Sequence, residues 1–167
     1  MNLEPLTIPG RADRLSQLLD YVSWAATAAG LAEASIYRLS LAVDEIATNI
    51  VMHGYEAGEQ PGDLTIWADR RPERLAIHLE DTGRPFDPRE APRPDNLDRP
   101  LEERQDGGLG IFLALWGVDD FTYERRGGVS EVSLGYCSGH LPVCHAKTEM
   151  QCPHNARLAT VVRPDKN

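Results

Sequence analysis

Lysine is almost missing from this sequence, and its scarcity excludes two common kinds of nucleotide site. Lys147 and Lys166 are the only lysines, whereas fifteen arginines carry the remaining basic charge. A Walker P-loop needs Gly-Lys-Ser/Thr, and a eukaryotic-type protein kinase needs a strand lysine and a His-Arg-Asp loop. No lysine precedes residue 147 and no His-Arg-Asp occurs. A nucleotide-binding protein with this sequence would therefore need another architecture.

The sequence also lacks long hydrophobic runs and an excess of positive charge. No apolar stretch approaches the roughly 20 residues that cross a bilayer. The N-terminus has neither the basic head nor the apolar core of a signal peptide. The formal net charge is −9, and no basic stripe could neutralise the phosphates of a nucleic acid. We expect a cytoplasmic protein that binds neither membranes nor nucleic acids directly.

Cysteines are few and confined to the C-terminal end. Cys137, Cys144 and Cys152 are the only ones, and an odd number argues against a disulfide framework. With nearby histidines they are potential zinc ligands, but their spacing does not match a paired-knuckle pattern. We expect one domain at 1–136 and a loosely ordered extension at 137–167, with a structural zinc site as the alternative. The histidines in question are His140, His145 and His154.

Apolar periodicity predicts helices first and hairpins later, separated by a proline-rich loop. The loop at 84–106 contains five of the twelve prolines and is long enough to be a lid or a binding loop. This order predicts an α+β two-layer sandwich, with helices on one face of a mostly antiparallel mixed sheet. The predicted elements are strands at 3–8, 62–70, 74–83, 119–126 and 129–136 and helices at 10–29, 33–53 and 109–118.

Two polar residues stand out on the otherwise apolar second helix. Glu45 and Asn49 are one turn apart and therefore project from the same side. A glutamate can accept a proton from an attacking hydroxyl group. An asparagine offers a neutral oxygen of the kind that suits Mg²⁺ when phosphates and waters supply its other ligands. A solvent-facing polar pair remains the simpler interpretation of this helix by itself.

A second candidate site follows the predicted strand at 74–83. Asp81 at the strand end could accept a hydrogen bond from the exocyclic amine of adenine, whereas guanine presents a carbonyl there. Gly83 lacks a Cβ and would let the backbone approach a base closely. Asp-x-Gly is also a common turn, so this pair alone does not decide between the two interpretations.

A third candidate site is a glycine cluster at the start of the apolar helix. Gly107, Gly108 and Gly110 surround Leu109. Free N–H groups at a helix N-terminus favour phosphate, and glycine lets phosphate come close to them. The cluster follows a loop rather than a strand, which disfavours a Rossmann fingerprint. A hinge at the end of the loop is the alternative.

In combination, order and spacing, these three stretches resemble the Bergerat-fold (GHKL) ATPase/kinase superfamily. "DEIATNIVMHGY" resembles its N box, "DTGRPFDP" its first glycine box, and "GGLGIFLALWGVDDFTYERRGG" its second. The resemblance covers roughly residues 3–136. It is strongest to the stand-alone anti-sigma factor serine/threonine kinases of bacterial partner-switching systems.

The resemblance implies a role for each of these residues. Glu45 would be the general base for a protein serine hydroxyl, and Asn49 would hold Mg²⁺ that bridges the phosphates. Asp81 and Gly83 would bind adenine, and residues 84–106 would form the ATP lid. The other nucleotide-binding residues that it implies are Arg104, Gly107, Gly108, Leu109 and Gly110.

The activity implied by the resemblance is transfer of phosphate from Mg-ATP to a small STAS-type anti-sigma-antagonist protein, by a homodimer that also has a sigma factor as a candidate partner. The alternative is an ATP-binding anti-sigma or adaptor module with little turnover. Glu45 favours the kinase, whereas Asp106, where some relatives carry a basic residue, favours the adaptor. The catalytic domain of a histidine kinase is disfavoured, because residues 10–29 contain no phospho-accepting histidine.

Overall fold

The computed structural model describes residues 3–55, 62–72, 74–91 and 109–137. In this part of the chain, helices cover one face of a five-stranded sheet with the order β1-β2-β3-β5-β4. The elements, in chain order, are β1 (Leu6–Pro9), α1 (Leu15–Ala28), α2 (Glu33–Asn49), β2 (Asp63–Arg71), β3 (Arg74–Asp81), α3 (Leu109–Gly117), β4 (Asp120–Arg126) and β5 (Val129–Cys137).

The α+β sandwich predicted from the sequence is confirmed, and its sheet is antiparallel throughout the described strands. We expected a mostly antiparallel mixed sheet, whereas every neighbouring pair of described strands is antiparallel. Two of these pairs, β2–β3 and β4–β5, are hairpins, whose tight connections allow only antiparallel pairing. The second hairpin then joins the first through β5, which lies between β3 and β4.

The core lies between the sheet and the helices. Alternate residues of the strands, such as Leu64, Ile66 and Ile77, are fully buried beneath α1 and α2. On the helices, Leu18 and Val43 belong to the same buried cluster, and α2 packs against both α1 and α3. Helix α2 therefore lies between α1 and α3, and its C-terminal end lies at the ends of the strands.

The helix that carries Glu45 and Asn49 ends differently from the prediction. We expected an α-helix over 33–53, whereas the α-helical part stops at Asn49 and a π-helical turn, Ile50–Gly54, follows. The chain leaves this turn at Tyr55, whose hydroxyl donates to the backbone oxygen of Asp63 at 3.1 Å. Such wide turns are frequent at functional sites.

Several sequence-based predictions lie outside the described residues. They include most of the lid, Arg104, Gly107 and Gly108, and every candidate zinc ligand except Cys137. The backbone N–H of Cys137 donates to Asp119 Oδ2 at 2.8 Å. The boundary between a domain at 1–136 and an extension also stays a prediction. Among the helices described, none is long and apolar enough to cross a membrane.

Candidate functional site

A cleft open to solvent lies where the end of α2 meets the ends of β3 and β5. Asn49 and the π turn line one side, and Asp81 and Ser130 contribute polar groups from the sheet. Phe86, which is 42% exposed, lies at the cleft after β3. A few polar groups within apolar walls are typical of small-molecule sites.

Asp81 is a buried carboxylate at the C-terminal end of β3, with only 4% of its surface exposed. Its Oδ1 accepts a hydrogen bond from the backbone N–H of Gly83 at 2.7 Å. Burial raises the pKa of Asp81, while the Gly83 N–H and the Arg125 guanidinium lower it. Since an ionised carboxylate has two oxygens and about four acceptor positions, Asp81 keeps acceptor capacity for a ligand that donates.

Gly83 lies directly against the end of the π turn. A Cβ added to Gly83 would meet the Gly54 backbone oxygen at 2.8 Å and Asp81 Oδ1 at 3.0 Å. The same Gly54 oxygen accepts a hydrogen bond from the Arg84 N–H at 2.7 Å. The end of β3 and the end of the α2 segment are thus joined backbone to backbone, which only glycine at position 83 permits.

Glu45 and Asn49 are linked through the backbone. The Asn49 side-chain nitrogen donates to the Glu45 backbone oxygen at 2.6 Å, which leaves the Asn49 side-chain oxygen for other partners. Burial, followed by the charge of Asp44, raises the pKa of the Glu45 carboxyl. Asn49 lines the cleft, whereas Glu45 lies one turn earlier on α2.

The Glu45 carboxylate lies against the first turn of α3. A Cβ on Gly110 would collide with both the carboxylate carbon and Oε2 of Glu45. A helix N-terminus carries unpaired N–H groups and the positive end of the helix dipole, which favour negative charge. The structure therefore brings Glu45 and Gly110 together beside the cleft, at the helix end that Leu109 begins.

Two residues of this site did not emerge from the sequence. Ser130 is 2% exposed and is the cross-strand partner of Asp81 in the β3–β5 pair. Arg125 Nη1 donates to Ser130 Oγ at 2.6 Å and to the Gly83 backbone oxygen at 3.0 Å. A signal for Ser130 was available, because it occupies the inward register of β5 with Val132. Arg125 showed none.

No group of three or more His, Cys, Asp or Glu side chains in the described part of the chain is arranged to hold a metal ion. A cation at this cleft would therefore depend on few protein ligands and on oxygens of a bound molecule. That is the usual situation of Mg²⁺ at phosphates.

The fold has counterparts among known proteins. The family model of the histidine kinase-like ATPase domain matches residues 8–136. The chain belongs to this family.

Three similar relatives are named as serine-protein or serine/threonine-protein kinases. The chain is 28% identical over 134 residues to the serine-protein kinase RsbW of Bacillus cereus, covering 78% of this chain and 82% of that protein. It is 30% identical over 134 residues to RsbW of Listeria innocua, covering 78% and 85%. It is 33% identical over 99 residues to the serine/threonine-protein kinase BtrW of Bordetella bronchiseptica, covering 59% and 68%.

A solved structure shares the fold. The RsbU and RsbW domains of Rv1364c from Mycobacterium tuberculosis align with a TM-score of 0.54 and 15% identity, over 80% of this chain and 32% of that one. At this identity the likeness supports the architecture alone.

Proposed function

We propose that the protein is an ATP-dependent serine/threonine kinase that regulates a partner-switching system by phosphorylating a small STAS-type anti-sigma-antagonist protein. One observation carries the proposal: a buried carboxylate, Asp81, and an asparagine, Asn49, line one cleft at the end of α2, and a second carboxylate, Glu45, lies one turn earlier on the same helix. The names of the relatives, serine-protein kinase RsbW and serine/threonine-protein kinase BtrW, point to the same activity.

The base of the nucleotide would lie at the Asp81 end of the cleft. Asp81 is buried and keeps acceptor capacity, as recognition of the adenine amine requires. The missing Cβ at Gly83 lets the backbone turn approach closely. Ser130 adds a hydroxyl on the same side of the sheet. These features fit adenine better than guanine, whose carbonyl would meet an ionised carboxylate.

The phosphates would lie toward Asn49 and the start of α3. The Asn49 side-chain oxygen is suited to Mg²⁺, because its nitrogen is already bonded to the helix backbone. When bound, Mg²⁺ supplies charge neutralisation at the phosphates, the main requirement of phosphoryl transfer. The N-terminal N–H groups of α3 would assist, together with Leu109 and Gly110. Arg104, Gly107 and Gly108 complete the proposed set and lie outside the described residues.

Glu45 would act as the general base. It accepts the proton of the acceptor serine hydroxyl as the serine oxygen bonds to the γ-phosphorus and the bond to the β–γ bridging oxygen of ATP breaks, leaving ADP. A base must be ionised at the working pH yet retain affinity for a proton. The raised pKa of Glu45, caused by burial and by the charge of Asp44, suits this task.

The partners follow from the same proposal. The acceptor is an antagonist protein with an exposed serine, and a sigma factor is the second candidate partner. We also propose a homodimer. We propose that the reaction takes place in the cytoplasm, where ATP and these regulators are available.

The decisive experiment mixes the protein with radiolabelled Mg-ATP and a candidate STAS-type antagonist. Glu45→Gln should lower phosphate transfer by about 10²- to 10⁴-fold, the usual contribution of a general base, while ATP binding measured by calorimetry persists. Glu33→Gln, on the exposed first turn of the same helix, is the matched control and should leave both unchanged.

The adaptor module is the second candidate, favoured by Asp106 before the glycine cluster. Tight ATP binding with no transfer to any tested antagonist would replace the kinase by this adaptor. Failure of the unchanged protein to bind ATP would overturn both.

A further inference from the structure

Arg125 projects from the edge strand β4 toward Ser130 and the turn that follows β3. It is the cross-strand partner of Ser130, and its Nη1 group donates to both Ser130 Oγ and the Gly83 backbone oxygen. The turn that follows β3 is therefore bonded to a strand that is not its neighbour, since β5 lies between them.

We propose that Arg125 is a positioning residue that holds the Asp81–Gly83 turn and Ser130 in the arrangement that selects adenine over guanine. The inference rests on the proposed function, because it assumes that the cleft binds a purine nucleotide. It adds a selectivity role for a residue on β4 to which the sequence patterns assigned none.

The backbone at Gly83 is hydrogen-bonded on both sides. Its N–H donates to Asp81 Oδ1 at 2.7 Å, and its carbonyl accepts from Arg125 at 3.0 Å. The next N–H, that of Arg84, donates to Gly54 at 2.7 Å. Both polar groups of Gly83 are thus engaged, and the Asp81 carboxylate is oriented by a backbone that Arg125 holds from the other side.

The Ser130 hydroxyl is oriented by Arg125. Because a guanidinium can only donate, Ser130 Oγ accepts from Arg125 and keeps its own hydrogen for another partner. Tyr123 Oη lies 3.4 Å away, at the outer limit of a hydrogen bond. The Ser130 hydrogen can therefore be donated either to Tyr123 Oη or to a nitrogen acceptor of a purine in the cleft.

The ionisation of Asp81 depends on the charged and titratable groups around it. Asp81 is faced by the Arg125 guanidinium from β4, by the Glu80 carboxylate beside it on β3, and by the Tyr55 hydroxyl after the π turn. Arg125 favours the ionised carboxylate, which accepts from the adenine amine. Loss of that charge would raise the pKa of Asp81 further, and a protonated carboxyl can donate to the guanine carbonyl instead.

A neighbouring arginine provides the matched control. Arg126 is adjacent in sequence, but its side chain is 84% exposed and pairs with Glu124 at 2.5 Å. Replacing Arg126 by glutamine removes the same charge from the same strand without touching the turn.

The experiment measures ATP and GTP affinity from pH 4.5 to pH 8 for the unchanged protein, Arg125→Gln, Arg125→Lys and Arg126→Gln. Arg125→Gln should weaken ATP binding by about tenfold or more, as expected for loss of hydrogen bonds from a charged donor. The loss should be greatest at low pH, and the ratio of ATP to GTP affinity should fall. Arg125→Lys should restore the pH profile, and Arg126→Gln should match the unchanged protein.

A nucleotide-free measurement keeps the inference testable on its own. Amide hydrogen exchange at Gly83 and Arg84 should accelerate in Arg125→Gln and stay unchanged in Arg126→Gln, with thermal unfolding showing that both variants remain folded. An equal loss of ATP affinity at every pH with an unchanged ATP-to-GTP ratio would overturn the inference and leave the kinase proposal intact. Absence of ATP binding in the unchanged protein would overturn the proposed function, and this inference with it.

Discussion

The contact between Gly110 and Glu45 leads to a sharp prediction about catalysis. Gly110→Ala would place a methyl group where the Glu45 carboxylate now lies. The obstructing atoms are the far end of a flexible side chain, so the carboxylate can move aside at little cost to the fold. Alanine is also favoured over glycine in a helix by up to about 1 kcal/mol. We therefore expect a folded protein, at least as stable, with a displaced carboxylate.

The expected kinetic effect follows from the size of that displacement. The carboxylate must shift by about 1 Å or more, and misplacement of this order can cost about 10²-fold in rate. Complete loss of a general base sets the upper bound at about 10⁴-fold. Single-turnover transfer of radiolabelled phosphate from ATP to an antagonist protein measures the rate, and urea unfolding measures stability.

Two comparisons make the Gly110 result interpretable. Gly117→Ala, at the other end of α3, has no contact closer than 3.7 Å for its new Cβ and should leave transfer unchanged. The double variant Gly110→Ala with Glu45→Gln should be no slower than Glu45→Gln alone, because residues that act as a unit are non-additive. Normal transfer by Gly110→Ala would refute the view that the Glu45 carboxylate acts from its present position.

Three further outcomes are expected. Asp81→Asn should weaken ATP binding in calorimetry. Burial raises the pKa of Asp81. The carboxyl therefore stabilises the folded state below its unfolded pKa of about 4, and this contribution is lost as pH rises through the folded pKa. Urea unfolding from pH 4 to 8 should show a weaker pH dependence in Asp81→Asn than in the unchanged protein. Asp44→Asn removes a charge that raises the pKa of Glu45, so the acid limb of the transfer rate should move to lower pH. Gly83→Ala should disrupt the Arg84–Gly54 hydrogen bond, lowering the free energy of unfolding by about 1–3 kcal/mol and reducing ATP affinity. Unchanged profiles or affinities would contradict these expectations.

Local patterns in the sequence were enough to predict the architecture. Alternating apolar residues define β2 and β3, and helical spacing defines α1 and α2, because these periods are imposed by backbone geometry and by burial on one face. The glycine pair at 127 and 128 marks the second hairpin, and both residues have positive φ. The end of α2 was not predicted, since the change to a π turn leaves the apolar pattern almost unaltered.

Some residues of the candidate site could be predicted from the sequence, and others could not. Glu45, Asn49, Asp81 and the glycines could be selected from the sequence, because each residue type has a chemistry that matches its place in a recognisable motif. Ser130 could have been selected as a polar residue in an inward-facing register.

What the sequence by itself determined, then, is the set of elements and most of the polar groups that chemistry would need. Only the tertiary structure decided which of these groups meet. The contact of Glu45 with Gly110 depends on how α3 packs beside α2, and the bond from Arg125 to Gly83 depends on β5 entering between β3 and β4. Such contacts join residues far apart in the chain, and no local period encodes them.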